Sequence, residues 1–284
     1  MGILLPWKYT EEYYKNYTLE TWDECAEKYL PFMRQLAPFH SILLDRLNPR
    51  PGQQVLDVAT GPGEPAMSIA AMVAPKGRVT GVDLSPNMVE VAKKNAAKRK
   101  LKNIEFLTMD AEKLNLPSKR YDTATSCFGF QIITNPDAAA GELYRVVKPG
   151  GRVAITVWST GEKSPALDVV IAPMMEHAEP DEAGYLPTPY GMGGQGELAE
   201  MLRKHEFEDP EETRSTGFYS AKSVDEYLNM MFSATPLGHS LSEEAPKVQK
   251  KILEKARKNI KRFKGANGVK IPAECVLVIA SKPN

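Results

Sequence analysis

Residues 55–63 read Val-Leu-Asp-Val-Ala-Thr-Gly-Pro-Gly, and this stretch decides the fold. Its first five residues are apolar apart from one aspartate, which predicts a buried strand, and its two glycines predict a tight turn that opens a helix. A strand that runs into such a turn lets the backbone approach a nucleotide-type ligand closely. The next predicted strand ends in Asp83, where a carboxylate can accept hydrogen bonds from ribose hydroxyls. Alone, the Gly-x-Gly pair is equally compatible with an ordinary tight turn.

The flanking sequence continues as an alternation of short apolar runs and helix-like segments. Ser85 and Pro86 predict the N-cap and first residue of one helix, and Asn135 with Pro136 predicts the start of another. Such alternation is typical of βαβ units and a parallel sheet with right-handed crossovers. The predicted strands are Val55–Thr60, Arg78–Leu84, Ile104–Met109, Thr123–Phe130 and Arg152–Trp158, followed by a final strand at Ala273–Ser281.

Composition and charge narrow the classes of protein. The chain has 284 residues, 42% of them hydrophobic, which is sufficient for a packed core. Lys plus Arg and Asp plus Glu each number 36, so the formal net charge is zero and no nucleic-acid partner is expected. No apolar run approaches the ~20 residues that span a bilayer, so we expect a cytoplasmic protein. Three cysteines without a C-x-x-C spacing predict neither a metal site nor a disulfide framework.

Two classes of cofactor compete for the glycine turn. Residues 61–66 also satisfy the looser dinucleotide fingerprint Gly-x-Gly-x-x-Ala. Glu64 argues against a dinucleotide, because its carboxylate lies where the helix N-terminus would receive a pyrophosphate, and a ligand with an ammonium group suits the loop better. Asp110 and Ala111 close the third strand, where a carboxylate can accept a hydrogen bond from the amine of adenine. Met88 is placed against a sugar or base, although core packing is the alternative.

Four motifs in order carry a resemblance to a known family. They are residues 55–63, Val82–Ser85 with Met88, Met109–Glu112 followed by Leu116–Pro117, and Leu143–Gly151. The chain resembles the class I S-adenosylmethionine-dependent methyltransferases, in the small-molecule branch that includes the ubiquinone and menaquinone biosynthesis C-methyltransferases. The resemblance implies a Rossmann-like α/β fold, in which a seven-stranded, mostly parallel sheet with helices on both faces carries an N-terminal helical lid and a cap insertion. It also implies S-adenosylmethionine as the cofactor.

Site residues follow from the resemblance, position by position. The turn after Asp57 would face the methionine part of the cofactor, Asp83 would bind both ribose hydroxyls, and Asp110 would read the adenine edge. Cys127 and Phe128 would lie beside the sulfonium. The implied cofactor-binding residues are Asp57, Thr60, Gly61, Gly63, Asp83, Leu84, Met88, Asp110, Ala111, Cys127 and Phe128.

We predict a single methyltransferase domain with four parts. Residues 1–48 form a helical lid, 49–160 the cofactor-binding core, 161–272 a cap or substrate region and 273–284 the final strand. Aromatic residues at strand ends and in the cap could line an apolar pocket for a flat molecule, with core packing as the alternative. These residues are Phe128, Phe130, Trp158, Tyr185, Tyr190, Tyr219 and Phe232.

The predicted reaction is an in-line displacement at a methyl group on a charged sulfur, for which positioning supplies much of the acceleration. We predict a small-molecule acceptor, aromatic or quinone-like. An O- or N-methyltransferase of another metabolite is the nearest alternative, followed by an RNA methyltransferase and an NAD-dependent oxidoreductase. An acceptor that needs a base points to histidine, so His177 and His239 in the cap region are the catalytic candidates.

A basic segment near the C-terminus permits three interpretations. Residues Lys247–Lys264 hold nine basic side chains and one acid, on a helix predicted from Glu243 to Phe263. A solvated outer face is the plain interpretation, and RNA is another. Peripheral contact with an anionic membrane is the third, and it would suit an acceptor that dissolves in lipid.

Overall fold

The computed structural model describes residues 10–177 and 190–284. Tyr185 and the first part of the irregular stretch, residues 180–189, lie outside the described residues. The described helices are α1 Glu11–Cys25, α2 Tyr29–Leu47, α3 Ala66–Val73, α4 Pro86–Lys98, α5 Pro136–Val146, α6 Pro165–His177, α7 Glu197–Lys204, α8 Val224–Ala234, α9 Leu237–Glu243 and α10 Pro246–Lys261. The strands are β1 Gln54–Val58, β2 Arg78–Asp83, β3 Ile104–Thr108, β4 Tyr121–Cys127, β5 Val147–Trp158, β6 Glu208–Ala221, β7 Lys264–Gly265 and β8 Gly268–Ser281.

The strands form one sheet in the order β3-β2-β1-β4-β5-β8-β6, and the two-residue β7 pairs with β8 beside it. Strands β1 to β5 pair in parallel, whereas β8 runs antiparallel to both β5 and β6. This confirms the predicted seven-stranded, mostly parallel sheet. Because the parallel strands share one direction, the loops that follow β1, β2, β3 and β4 meet at one edge.

Helices cover both faces of the sheet because successive side chains of each strand point to opposite sides. Val55 of β1 packs with residues of α3 and α4. Its neighbour Leu56 packs on the other face with residues of α5 and α7. The predicted helix start at Ser85 is confirmed, because the Ser85 hydroxyl accepts a hydrogen bond from the Met88 N–H at 3.0 Å.

Two features differ from the sequence prediction. Strand β6 lies inside the predicted cap of residues 161–272, yet it completes the edge of the sheet. Its sequence is mostly Glu, Ser, Thr and Arg, so it lacks the apolar run that marks the inner strands. The helix predicted from Glu243 to Phe263 is observed as α10, which begins at Pro246 because a residue without an N–H is tolerated at the first helical position, and a separate short helix, α9, precedes it.

None of the helices in residues 10–177 and 190–284 is long and apolar enough to cross a membrane.

Candidate functional site

The glycine loop after β1 is held from below by a buried carboxylate. Asp57 is fully buried and accepts hydrogen bonds from the hydroxyls of Thr60 at 2.7 Å and Thr125 at 2.6 Å. Burial raises the pKa of Asp57 to about 7, although the two hydroxyl bonds lower it. The backbone of Ala59 and Gly61 takes left-handed conformations, with φ of 54° and 53°. Asp57 therefore fixes the shape of the loop and leaves the loop's outer surface free to meet a ligand.

Asp83 joins the end of β2 to the same loop. One carboxylate oxygen accepts the Gly61 N–H at 2.8 Å, and the other accepts the Ser85 N–H at 3.0 Å. Burial raises the pKa of Asp83 to about 6, while the backbone N–H groups of Ser85, Gly61 and Leu84 lower it. Each carboxylate oxygen has a second lone pair, so the group can still accept bonds from a ligand's hydroxyls.

A cavity opens at the carboxyl ends of the parallel strands, and we call it the strand-end cavity. Counted to its open mouth it encloses about 840 Å³, within the size range of small-molecule sites. The loops after β1, β2, β3 and β4 and the helix α1 supply its wall. Of the residues predicted to bind the cofactor, the structure places Gly61, Asp83, Leu84, Met88, Asp110, Ala111, Cys127 and Phe128 on this wall.

Three residues predicted for the same site are not among the wall residues. Asp57 and Thr60 lie beneath the loop, bonded to each other. Gly63 is a packing position, because a Cβ there would come within 3.3 Å of Met67, Phe106 and Ala92 side-chain atoms, and its φ is 106°. These residues shape the loop from inside.

Glu64 lies at the N-terminus of α3, where the sequence predicts it, and it is not among the described wall residues of the strand-end cavity. One carboxylate oxygen accepts the Ser68 N–H at 3.2 Å and the Ser68 hydroxyl at 2.8 Å, and the other pairs with Arg99 at 2.5 Å. Ser68 lies in the first turn of α3, so Glu64 caps this helix itself. A pyrophosphate at this helix N-terminus remains disfavoured, because a carboxylate already occupies that position.

The N-terminal helix α1 closes one side of the strand-end cavity, and the contacts that anchor it were not predicted from the sequence. Lys15 pairs with Asp110 at 2.8 Å and also with Glu112. Further along α1, the Asp23 carboxylate accepts the Asn87 N–H at 2.9 Å and the Ser85 hydroxyl. The predicted adenine-edge carboxylate Asp110 is therefore positioned by a lysine 95 residues away in sequence.

A second cavity adjoins the first, and we call it the aromatic cavity. It lies among α1, α2, α6, α8 and α9, and encloses about 990 Å³ counted to its open mouth. Among the described residues of its wall there is no Asp, Glu, His, Lys, Arg or Cys. The two cavities share the wall residues Thr18, Trp22, Tyr29, Phe128 and Ile132.

The ends of β4 and β5 form the boundary between the two cavities. Phe128, which lines both, stacks on Trp158 with ring centroids 3.9 Å apart and an interplanar angle of 17°. Beside it, burial raises the pKa of the Cys127 thiol well above its ordinary value. Since the thiolate is the reactive form of cysteine, this thiol is a poor nucleophile.

Neither candidate histidine is among the described wall residues of the two cavities. His177 ends α6 and lies 3.6 Å from a Glu176 oxygen. His239 in α9 lies between Glu24 at 3.0 Å and Glu243 at 3.4 Å, with its ring against Tyr17. The structure therefore gives no geometric support to their predicted role as bases. In residues 10–177 and 190–284, no group of three or more His, Cys, Asp or Glu could hold a metal ion.

Comparison with known proteins shows which families the chain is similar to. Residues 33–171 match the model of the ubiE/COQ5 methyltransferase family, and this segment contains β1 to β5 and the loops that follow β1, β2, β3 and β4. In its fold and over this segment, the chain is similar to the class I S-adenosylmethionine-dependent methyltransferases. This similarity agrees with the predicted cofactor, S-adenosylmethionine. Within that class, the chain is similar to the ubiE/COQ5 branch.

Curated relatives of that branch match a limited length. A ubiquinone/menaquinone biosynthesis C-methyltransferase of Pseudomonas putida is 40% identical over 111 residues, which are 39% of this chain and 43% of that protein. The corresponding protein of Ectopseudomonas oleovorans is 39% identical over 104 residues, 36% of this chain and 61% of its own length. The chain thus matches about half of the length of these relatives.

Solved structures agree in fold at low identity. The YcgJ protein of Bacillus subtilis has a TM-score of 0.58 at 18% identity, over 86% of this chain and 98% of that one. Phosphoethanolamine N-methyltransferase 2 of Haemonchus contortus, in complex with S-adenosylmethionine, has a TM-score of 0.54 at 21% identity. The match covers 87% of this chain and 53% of that one. The cyclase SpnF is equally similar, with a TM-score of 0.54 at 21% identity. The match covers 87% of this chain and 80% of that one. The fold alone therefore does not specify the acceptor.

Proposed function

We propose that the protein transfers the methyl group of S-adenosylmethionine to a neutral, largely apolar small molecule, aromatic or quinone-like, bound in the aromatic cavity. The observation that carries this proposal is the shared wall of the two cavities at Phe128, with no charged side chain among the described residues of the aromatic cavity. A buried charge on the acceptor would find no partner there, and that is costly. We include a cytoplasmic location in the proposal.

The residues of the strand-end cavity suit the cofactor's parts. Asp83 is placed to accept hydrogen bonds from both ribose hydroxyls, and Asp110 is placed to accept one from the adenine amine. Phe128 and the un-ionised Cys127 border the region towards the acceptor. When bound, the cofactor supplies an electrophilic methyl group, so the protein's task is to align the acceptor's nucleophilic atom and to exclude water. The tyrosines and tryptophan of α1 and α2 supply that exclusion.

The name of the curated relatives favours a carbon nucleophile on a quinone precursor, and we adopt this as the preferred form of the proposal. Transfer to an oxygen or nitrogen atom uses the same geometry and is the second candidate. A polynucleotide acceptor is disfavoured, since the aromatic cavity offers no cation for its phosphates among its described residues.

The test is a turnover experiment with S-adenosylmethionine whose methyl group carries deuterium. The protein is incubated with an apolar and a polar fraction of a metabolite extract, and mass spectrometry identifies products that carry the label. We expect labelled products in the apolar fraction, together with an equal amount of S-adenosylhomocysteine. Labelled products confined to the polar, charged fraction would contradict the proposed acceptor class, and heat-denatured protein is the control.

A peripheral contact with anionic membrane is the second part of the proposal, and it rests on the outer side of α10. The apolar face of α10 is buried against the body, including Ile252, Ala256 and Ile260, so it cannot insert into lipid. Lys255 and Arg257 pair with Glu176 and Asp225. The exposed cations that remain are Lys247, Lys251, Lys258, Lys261, Arg262 and Lys264, together with Lys250, which lies 4.0 Å from a Glu254 oxygen.

The contact would therefore be electrostatic, at about 1 kcal/mol for each cation near the surface. We expect the protein to sediment with vesicles that contain phosphatidylserine at low salt, and to be released at moderate salt as the charges are screened. A variant with Lys250→Glu, Lys258→Glu and Lys261→Glu should stay in solution. Equal retention on neutral phosphatidylcholine vesicles would argue against this surface.

A further inference from the structure

Several polar side chains line the aromatic cavity, and the hydroxyls of Tyr17, Ser240, Thr21 and Thr235 already have partners inside the protein. The Tyr17 hydroxyl lies 2.9 Å from the Ser240 hydroxyl. The Thr21 and Thr235 hydroxyls donate to backbone carbonyls one turn earlier in their own helices. These groups are therefore engaged in holding helices together, and a ligand would have to break those bonds to use them.

Gln131 is different, because one end of its side chain is fixed and the other end is not used. Its Oε1 accepts the backbone N–H of Trp158 at 2.7 Å. Of the two ends of a side-chain amide, only the oxygen can accept an N–H, so the amide orientation is determined and Nε2 must point away from that bond. Within the described part of the chain, Nε2 has no hydrogen-bond partner, and Gln131 is a residue of the aromatic cavity wall.

The position of Gln131 places this donor close to the boundary of the two cavities. Trp158, to which it is bonded, stacks on Phe128, and Phe128 lines both cavities. Gln131 follows β4 by four residues, so the ends of β4 and β5 hold it on the rigid part of the fold. A donor held in this way is well suited to orient a ligand.

We propose that the Gln131 Nε2 donates a hydrogen bond to an oxygen of the acceptor, and thereby positions the acceptor's nucleophilic atom relative to the cofactor. This inference rests on the proposed function, because it takes the aromatic cavity as the acceptor site. It assigns the acceptor an oxygen that can accept a hydrogen bond, set on an otherwise apolar frame. Gln131 is a neutral amide, so it binds and orients and does not remove a proton.

The experiment compares two bicyclic probes that differ in one oxygen. The carbonyl of 1-tetralone can only accept a hydrogen bond, and tetralin is its apolar parent. Binding of each probe to the protein saturated with S-adenosylhomocysteine is measured by calorimetry at pH 8. We expect 1-tetralone to bind about tenfold more tightly than tetralin, which is the size expected of one hydrogen bond in an apolar site.

The decisive variant is Gln131→Glu, which keeps an oxygen for the Trp158 N–H and removes the N–H donor. We expect it to lose the preference for 1-tetralone and to keep its thermal stabilisation by S-adenosylhomocysteine. Gln131→Met removes both bonds and should also lose the preference. Ser240→Ala, on the same cavity wall, is the matched control and should retain it.

The outcomes separate this inference from the function on which it rests. If Gln131→Glu keeps the tenfold preference, the side chain serves only to bond Trp158, and the inference is wrong while the acceptor site stands. If the unaltered protein binds both probes equally, the inference is again wrong. If it binds neither probe, the aromatic cavity does not take flat apolar molecules, and the proposed function is contradicted as well.

Discussion

Substitution of Asp83 by asparagine is expected to weaken the binding of S-adenosylhomocysteine at least about 100-fold. The substitution weakens two hydrogen bonds from ribose hydroxyls to a charged group, and each such bond contributes about 1.5–3 kcal/mol to the free energy of binding. The measurement is a thermal shift, since a ligand that binds only the folded protein raises the melting temperature by mass action. Glu90→Gln is the matched control, because it makes the same charge change on the exposed side of α4, where Glu90 pairs with Lys93.

NADH provides the comparison between cofactor classes in the same experiment. We expect S-adenosylhomocysteine to stabilise the unaltered protein and NADH to leave its melting temperature unchanged. Stabilisation by NADH alone would overturn the cofactor assignment. An Asp83→Asn variant that is stabilised as strongly as the unaltered protein would remove Asp83 from the ribose site.

The pH dependence of binding gives Asp83 a second readout. In the free protein its pKa is raised to about 6 by burial. Bonds from ribose hydroxyls favour the ionised carboxylate, so the pKa falls in the complex. Below pH 6 the free protein therefore holds more protons than the complex, and affinity decreases as the pH falls, by up to about tenfold per pH unit. The Asp83→Asn variant should lack this dependence.

Removal of residues 1–27 is expected to reduce methyl transfer below detection while the sheet stays folded. This deletion takes away α1, which lines both cavities and carries Lys15 and Asp23. Without α1 both cavities open to water, and the shared wall loses Trp22. Turnover with the labelled cofactor and the thermal unfolding transition are measured together, so that loss of activity can be distinguished from loss of fold.

The end of the deletion matters because α2 belongs to the core. Phe32, Leu36 and Phe39 of α2 are buried with strands β6 and β8, so a cut at residue 35 would remove part of that core. Lys28 precedes α2 and is a suitable new start. If the shortened protein turns over at the original rate, α1 is a packed helix and not a lid.

Local chemistry explains which parts of the site could be predicted from the sequence. Gly61, Asp83 and Ser85 lie in motifs whose conformation depends on neighbours a few residues away, so their spacing was informative. Lys15 reaches Asp110 across 95 residues, and Gln131 bonds to Trp158 across 27. Such contacts depend on how the helices and strands pack, so the spacing of residues in the sequence does not predict them.

Strand β6 and the histidines illustrate the same limit in the fold. Strand β6 lies at the sheet edge with one partner and alternates exposed and partly buried residues, so it carries no apolar run. His177 and His239 were chosen by residue type and by their position in the predicted cap, and both lie beside carboxylates and are not among the described wall residues of either cavity. Residue type predicts chemistry only when a motif also predicts position.

The carboxylate of Glu64 gives the glycine loop a built-in selectivity. A phosphate that approaches the N-terminus of α3 competes with the Glu64 carboxylate, which belongs to the same chain and is held by Ser68 and Arg99. A competing group on the same chain has a high effective concentration, typically about millimolar or above, and dilution does not lower it. We therefore expect the loop to disfavour a dinucleotide, whose pyrophosphate would have to displace the Glu64 carboxylate, whereas a ligand with a positive charge at this end would not.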